Sequence, residues 1–134
     1  MAKAIRLNGY FGETNGGTTQ GAVTVTYVLH GTTETLSVLF EGRYQVDVPF
    51  RQISVLAAQA RLGLAWKSSC ELELQLNGYY SDSLVRLRSG VVNVWFRCNR
   101  SVEMLTLSFE QKEQISLPYA PVAAMVNAER SWTV

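Results

Sequence analysis

The chain is poor in the residues from which most enzyme sites are built. Among 134 residues there is one histidine, His30, and two cysteines, Cys70 and Cys98. A lone histidine in a turn builds neither an imidazole metal site nor a proton relay. The cysteines lack the CxxC spacing and neighbouring histidines of zinc and thioredoxin-type sites, so they are expected as buried free thiols in a cytoplasmic, reducing setting. No GxSxG elbow, P-loop or strand-bound GxGxxG occurs, which removes the commonest hydrolase, nucleotide and dinucleotide chemistries and any cofactor they need. Charge of one sign is missing too. Twelve basic and eleven acidic residues leave a net charge of +1, which neither demands nor excludes a polyanion. Long apolar runs are absent, since Val55–Ala58 and Leu62–Trp66 fall far short of the roughly 20 residues that cross a bilayer. Lys3 and Arg6 interrupt the N-terminal stretch, so no signal peptide is expected. The reading is of a binding protein, not an enzyme, with no membrane and no small-molecule substrate.

What the chain does contain is itself, twice. A shift of 69 residues carries Leu7-Asn8-Gly9-Tyr10 onto Leu76-Asn77-Gly78-Tyr79, Gly21, Val23 and Val25 onto Gly90, Val92 and Val94, and Glu34, Leu36, Phe40 and Glu41 onto Glu103, Leu105, Phe109 and Glu110. With Gln45, Pro49 and Arg61 matching Gln114, Pro118 and Arg130, 14 of 65 paired positions are identical without a gap. That is an internal repeat, with units 1–65 and 70–134. Each is marginal in size alone, so the two are expected to form one domain with a shared core.

Within each unit the hydrophobic period is 2 and then switches to 3.6. Ile5, Leu7 and Phe11 alternate with Arg6, Asn8 and Tyr10; Val23, Val25, Tyr27 and Leu29 line a second strand; Leu36, Val38 and Phe40 a third; Tyr44, Val46 and Val48 a fourth. Gly12–Gln20 reads as a flexible polar connection. Ile53, Leu56, Ala57 and Ala60 recur at helical spacing after Pro49, a residue suited to helix starts. In the second unit Leu72, Leu74 and Leu76, then Val92, Val94, Phe96 and Cys98, then Leu105, Leu107 and Phe109, then Ile115 and Leu117 repeat the inner faces, and Val122, Met125 and Val126 the helix. Ser81–Ser89 fits either a hairpin arm or a loop. The fold class expected is α+β: a tandem duplication of a β-β-β-β-α unit, as two antiparallel sheets with two helices on their inner faces, related by a pseudo-two-fold axis. The repeated acids Glu34, Glu103, Glu41 and Glu110 are expected as solvated charges at strand ends.

The opposite faces of the strands hold the candidate site. Arg6 and Tyr10 in the first unit, and Tyr79, Trp95 and Arg97 in the second, project outward, with Arg86, Arg88 and Arg100 in nearby turns and Lys112 on the last hairpin. Aromatic rings stack on unpaired bases and guanidinium groups neutralise phosphates, so these nine residues are the expected nucleic-acid-binding set. Outward aromatics also stabilise cross-strand pairs or an interface between copies, and open sheets point to a homo-oligomer.

A tandem β-β-β-β-α repeat of this length resembles the single-stranded nucleic-acid-binding fold of the Whirly proteins, the trypanosomal guide-RNA-binding proteins and, more loosely, the Pur-alpha repeats. The resemblance rests on topology and repeat length. Where Whirly proteins carry a Lys-Gly-Lys-Ala-Ala-Leu-Ser stretch, this chain has Gly21-Ala22-Val23-Thr24-Val25-Thr26-Tyr27, so no binding residue is carried over. The resemblance implies sequence-tolerant binding of single-stranded DNA or RNA across open sheets, in a homo-oligomer. Two alternatives stand beside it: a sliding-clamp-like domain, and a small phage or bacterial interaction module of inhibitor or immunity type.

Overall fold

In the structure, a computed structural model, residues 2–13, 16–63, 69–83, 85–99 and 102–131 are described. The strands β1 (Ala2–Glu13), β2 (Thr18–His30), β3 (Thr33–Phe40) and β4 (Tyr44–Pro49) lead into helix α1 (Arg51–Gly63). Then β5 (Ser69–Asp82), β6 (Val85–Asn99), β7 (Val102–Phe109) and β8 (Glu113–Pro118) lead into α2 (Ala120–Ser131).

The expected pair of separate sheets does not form. All eight strands join in one closed antiparallel barrel, each paired with its sequence neighbour and β1 paired with β8. Two short seams make the closure: Tyr10–Glu13 against Glu113–Ser116, and Tyr44–Asp47 against Tyr79–Asp82. Local patterning reveals hairpins but not whether the outer strands of two meanders meet. Left apart, those strands would expose rows of unpaired N–H and C=O groups, and closure removes part of that liability.

The 69-residue step is visible in the register. Val23 faces Phe40 as Val92 faces Phe109, and Tyr10 faces Ser116 as Tyr79 faces Asp47. Inward side chains of both halves merge into one apolar core in which Val23, Val25, Leu36, Val38, Val92, Val94, Leu105 and Leu107 are wholly buried. The helices stop one end of the barrel, the end where β4 and β8 finish. Ile53, Ala57, Val122 and Val126 are buried from α1 and α2. The first helical bonds run from the Ser54 N–H to the Phe50 carbonyl (3.0 Å) and from the Ala123 N–H to the Tyr119 carbonyl (2.9 Å).

Several residues retained in both copies sit at joints of this scaffold. A Cβ on Gly9 would lie 2.5 Å from the Ser116 carbonyl oxygen, and one on Gly78 2.5 Å from that of Asp47, so each seam closes over a glycine. Of the repeated acids expected as solvated charges, Glu41 and Glu110 are exposed, whereas Glu103 is half-buried and Glu34 is buried. Glu41 and Glu110 take left-handed φ values of 51° and 50°, and their carboxylates accept the Ala22 and Val91 N–H groups at 2.5 Å. Glu34 and Glu103 bind the opposite half. Arg130 of α2 forks onto Glu34 (2.6 and 2.8 Å), and Arg61 of α1 forks onto Glu103 (2.6 and 2.8 Å). Planar guanidinium–carboxylate pairs of this geometry are the strong kind of ion pair, and a cation in the last helical turn also suits the helix dipole. Arg130 and the buried Tyr27 hydroxyl, which donates to Glu34, hold that carboxyl below its ordinary pKa, against the opposing effect of burial. Burial, with Glu34 beside it, pushes Tyr27 up to about 12.

Two further expectations are corrected. Cys70 and Cys98 are not free thiols; they face each other across β5 and β6, Cα atoms 5.3 Å apart, and form a disulfide. Strand register alone brings them together, which no sequence spacing reveals. Of the connection expected over Gly12–Gln20, Gly12, Glu13 and Thr18–Gln20 are instead strand residues, Gly12 pairing with Thr18, and Thr14 and Asn15 lie outside the described residues. Ser81–Ser89 is a hairpin arm, with β5 running to Asp82 and β6 starting at Val85. Among the described residues no helix is long and apolar enough to cross a membrane.

Candidate binding surface on the outside of the barrel

Because the barrel is closed, outward side chains line up in rows that pass from strand to strand. One row reads Glu73, Trp95, Thr106, Ser116, Tyr10 and Gln20, on β5, β6, β7, β8, β1 and β2. Trp95 is half-buried and Tyr10 is 44% exposed. Between them lie two small side chains, the Thr106 and Ser116 hydroxyls, 3.0 Å apart. Three strand intervals separate the rings, about 14 Å at ordinary strand spacing. The result is a shallow trough with an aromatic wall at each side and a hydroxyl floor. The Arg97 guanidinium stands 5.9 Å from the centre of the Trp95 ring, a cation–π distance.

The next row along reads Gln75, Asn93, Ser108 and Gln114. Asn93 points outward yet is 3% exposed, and its Oδ1 has no hydrogen-bond partner among the described residues. A cavity of about 290 Å³ lined by Gln75, Val91, Asn93, Glu110 and Gln111 adjoins it. An unmet buried acceptor costs stability unless something donates to it.

The structure brings some of the expected site residues together and disperses others. Trp95, Arg97 and Tyr10 share the trough. Tyr79 is 50% exposed but belongs to the other half's row, beside Asp47 and Ser89. Arg6 is exposed on β1 opposite Thr24, on that same half's face. Arg88 is not an outer-surface cation. Its position is opposite the buried Tyr80, on the inward parity of β6, and its guanidinium bridges Glu113 at 2.7 Å while lying over the Tyr80 and Phe109 rings. It caps the end of the barrel away from the helices. Lys112 is exposed in the β7–β8 turn. Arg86 is on β6, its side chain outside the described ones, and Arg100 lies outside the described residues altogether. Arg97 also has Glu71 at 3.5 Å, both side chains more than half exposed, so its charge is only weakly engaged.

Comparison with known proteins finds no match. No family model fits the chain, and no curated protein and no solved structure matches it.

Thr106, Ser116 and Asn93 are the members of this surface that sequence reading does not rank as contacts. Strand parity already sets them facing outward, but small uncharged side chains carry no signal of their own. Only the β1–β8 seam reveals that Tyr10 stands across from Trp95. Among the described residues no cluster of histidine, cysteine, aspartate or glutamate is suited to a metal ion. The tyrosines with raised pKa values are core groups. Burial raises Tyr80 and lifts Tyr119 to about 12, which suits structural hydroxyls and not proton transfer near neutral pH.

Proposed function

We propose that this protein binds single-stranded DNA or RNA with little sequence preference, laying the strand across the outside of the barrel, and that it performs no chemistry on its ligand. The observation that carries the reading is the trough: Trp95 and Tyr10 on either side of a hydroxyl floor, with Arg97 beside the indole. Flat rings offer a π-face to any base, while the half-buried Ser116, backed by the buried Thr106, offers a hydroxyl to phosphate or sugar oxygens. The outward faces are polar and the inward faces apolar, the reverse of a lipid-facing barrel, which supports a partner met in water. The Whirly- and Pur-alpha-like behaviour that the repeat order suggests belongs to this proposal, as does self-association into a homo-oligomer.

Stacking, more than charge, dominates this version of the site. Arg88 is engaged by Glu113 and only Arg97 stands in the trough itself, so few cations there are available to displace counterions. Affinity therefore falls less steeply with salt than a nine-residue basic set would require. Cytoplasmic residence is part of the reading, although the Cys70–Cys98 disulfide favours an oxidising compartment; thiol labelling of the protein in freshly lysed cells tells the two apart.

The test is fluorescence anisotropy of labelled poly-dT, mixed-sequence DNA, the same sequence as RNA, and duplex, with wild type and Trp95→Ala. Similar affinities for the single strands, weaker duplex binding and a loss in the variant are expected. Absence of binding to every oligonucleotide at low salt overturns the reading and returns the weight to a protein partner.

A further inference from the structure

The seams that close the barrel are short, and each leaves a strand edge behind. β1 pairs with β8 only from Tyr10 onward, and β5 pairs with β4 only from Tyr79 onward. Among the described residues, no strand lies against the outer edge of Ala2–Gly9 or of Ser69–Gly78. Side chains there are correspondingly open. Ile5, Leu7, Cys70, Leu72 and Leu74 have inward parity yet are only half-buried, whereas Val23, Val25, Val92 and Val94 on the adjoining strands are fully buried. Two apolar-faced edges of similar length therefore stand four strands apart in an eight-stranded ring, on opposite sides of the molecule.

We infer that these two edges are complementary to each other, so that β1 of one copy adds to β5 of the next. This deepens the self-association part of the proposed function and is independent of its nucleic-acid part. Charge selects the pairing. Arg6 projects from the β1 edge and Glu73 from the β5 edge; both are exposed, and neither makes an ion pair among the described residues. An antiparallel register with Arg6 opposite Glu73 also sets Ile5 opposite Leu74 and Leu7 opposite Leu72, and Ala4 opposite Gln75. Apolar residues then meet on one face and polar residues on the other, as strand addition requires. The backbone agrees. β5 repeats β1 with a 69-residue step, so the N–H and C=O groups that point out of β1 at one residue point out of β5 at its counterpart. In this register every pair joins positions of like backbone orientation. Pairing of two β5 edges is disfavoured where it sets Glu71 against Glu73, and of two β1 edges where it sets Arg6 against Arg6, because like charges directly opposite repel. Union of unlike patches is head-to-tail, so it propagates into an open chain or closes as a ring.

The experiment uses the whole protein without nucleic acid. Multi-angle light scattering is recorded over a concentration series for wild type, Arg6→Glu, Glu73→Arg and an equimolar mixture of the two variants. Thermal unfolding by circular dichroism confirms that each is folded, which is expected because both positions are exposed. Wild type is expected to exceed the 14.9 kDa of one chain increasingly with concentration. Each variant alone has two edges of one sign and is expected to fall back to that mass. In the mixture the acidic β1 edge of the Arg6→Glu variant finds the basic β5 edge of the Glu73→Arg variant. The unaltered edges, basic β1 and acidic β5, find each other as in wild type, so association returns. A wild type that holds the single-chain mass at millimolar concentration overturns self-association itself. Variants that associate like wild type, or a mixture no heavier than its components, overturn the edge pairing while self-association stands.

Discussion

The trough row Glu73–Trp95–Thr106–Ser116–Tyr10 has a counterpart under the 69-residue step, Ala4–Thr26–Ser37–Asp47–Tyr79, built on the same strand register. The two differ in chemistry. Where the second half has an indole the first has a threonine, and where the second has Ser116 on the floor the first has Asp47. One row is a pair of rings flanking two hydroxyls, with Glu73 beyond the indole; the other is a single ring directly beside Asp47. The identities between the halves fall partly on the core, at Val23, Val25, Leu36 and Phe40, and partly on joints: the seam glycines, the left-handed glutamates and the crossed Arg–Glu pairs. The outer rows are where the copies part. A duplicated scaffold thus leaves one face free to specialise while the other keeps the barrel shut.

The largest expected effect tests the sameness of the scaffold. Phe40 and Phe109 are 3% and 1% exposed at equivalent places, and truncating either to alanine is expected to cost about 3–5 kcal/mol through lost burial and the cavity left behind. Equal shifts in the urea midpoint support equivalence; a large loss in one half only breaks it. Next come the rows themselves. Trp95→Ala is expected to weaken oligonucleotide binding by about 1–3 kcal/mol, and Tyr10→Ala by more than Tyr79→Ala, because Tyr79 stands directly beside Asp47 and has no second ring in its row. Equal losses for the two tyrosines would show that both rows bind. A smaller effect comes from exporting the first half's acid. Ser116→Asp is expected to cost about 1 kcal/mol of affinity through repulsion of phosphate near the surface, while Asp47→Ser leaves affinity unchanged; the same anisotropy titration reads both.

The smallest effect concerns pH. Glu34 has a lowered pKa in the fold, with Arg130 as the main cause, so the folded state releases its proton more readily than the unfolded chain. The stability this contributes is present above the ordinary glutamate range near 4.3 and is lost as the pH falls through the folded value. Glu34→Gln is therefore expected to flatten the acid limb of the stability profile, measured by denaturant titration from neutral pH downward. An acid limb as steep as that of wild type would remove Glu34 from the account.

The inner faces were legible in the sequence almost residue by residue, because burial imposes a period of 2 on strands and about 3.6 on helices, and Val23, Ile53, Leu105 and Val122 obey it. The closure was not. Nothing in Tyr10–Glu13 or Glu113–Ser116 announces that they meet, since backbone hydrogen bonds across a seam need no particular side chain. The same blindness explains the cysteines, which pair through register, and Glu34 and Glu103, which look solvated until the opposite helix brings an arginine. At the candidate site Trp95, Arg97 and Tyr10 stood out by residue type. Their common address, and the exclusion of Arg88 from it, depended on which strands became neighbours.

The crossed Arg130–Glu34 pair spans 96 residues of chain, and the β1–β8 seam joins Tyr10 to Ser116. Hairpins close loops of a few residues, whereas these contacts close nearly the whole polypeptide, at a far larger entropic cost. Each meander can therefore assemble early and locally, but neither helix finds its carboxylate until the other half is in place. Shutting the barrel is therefore expected to be the late, slow event of folding, because its decisive contacts are remote in sequence. Until it happens, all four strand borders of the two meanders stand open at once.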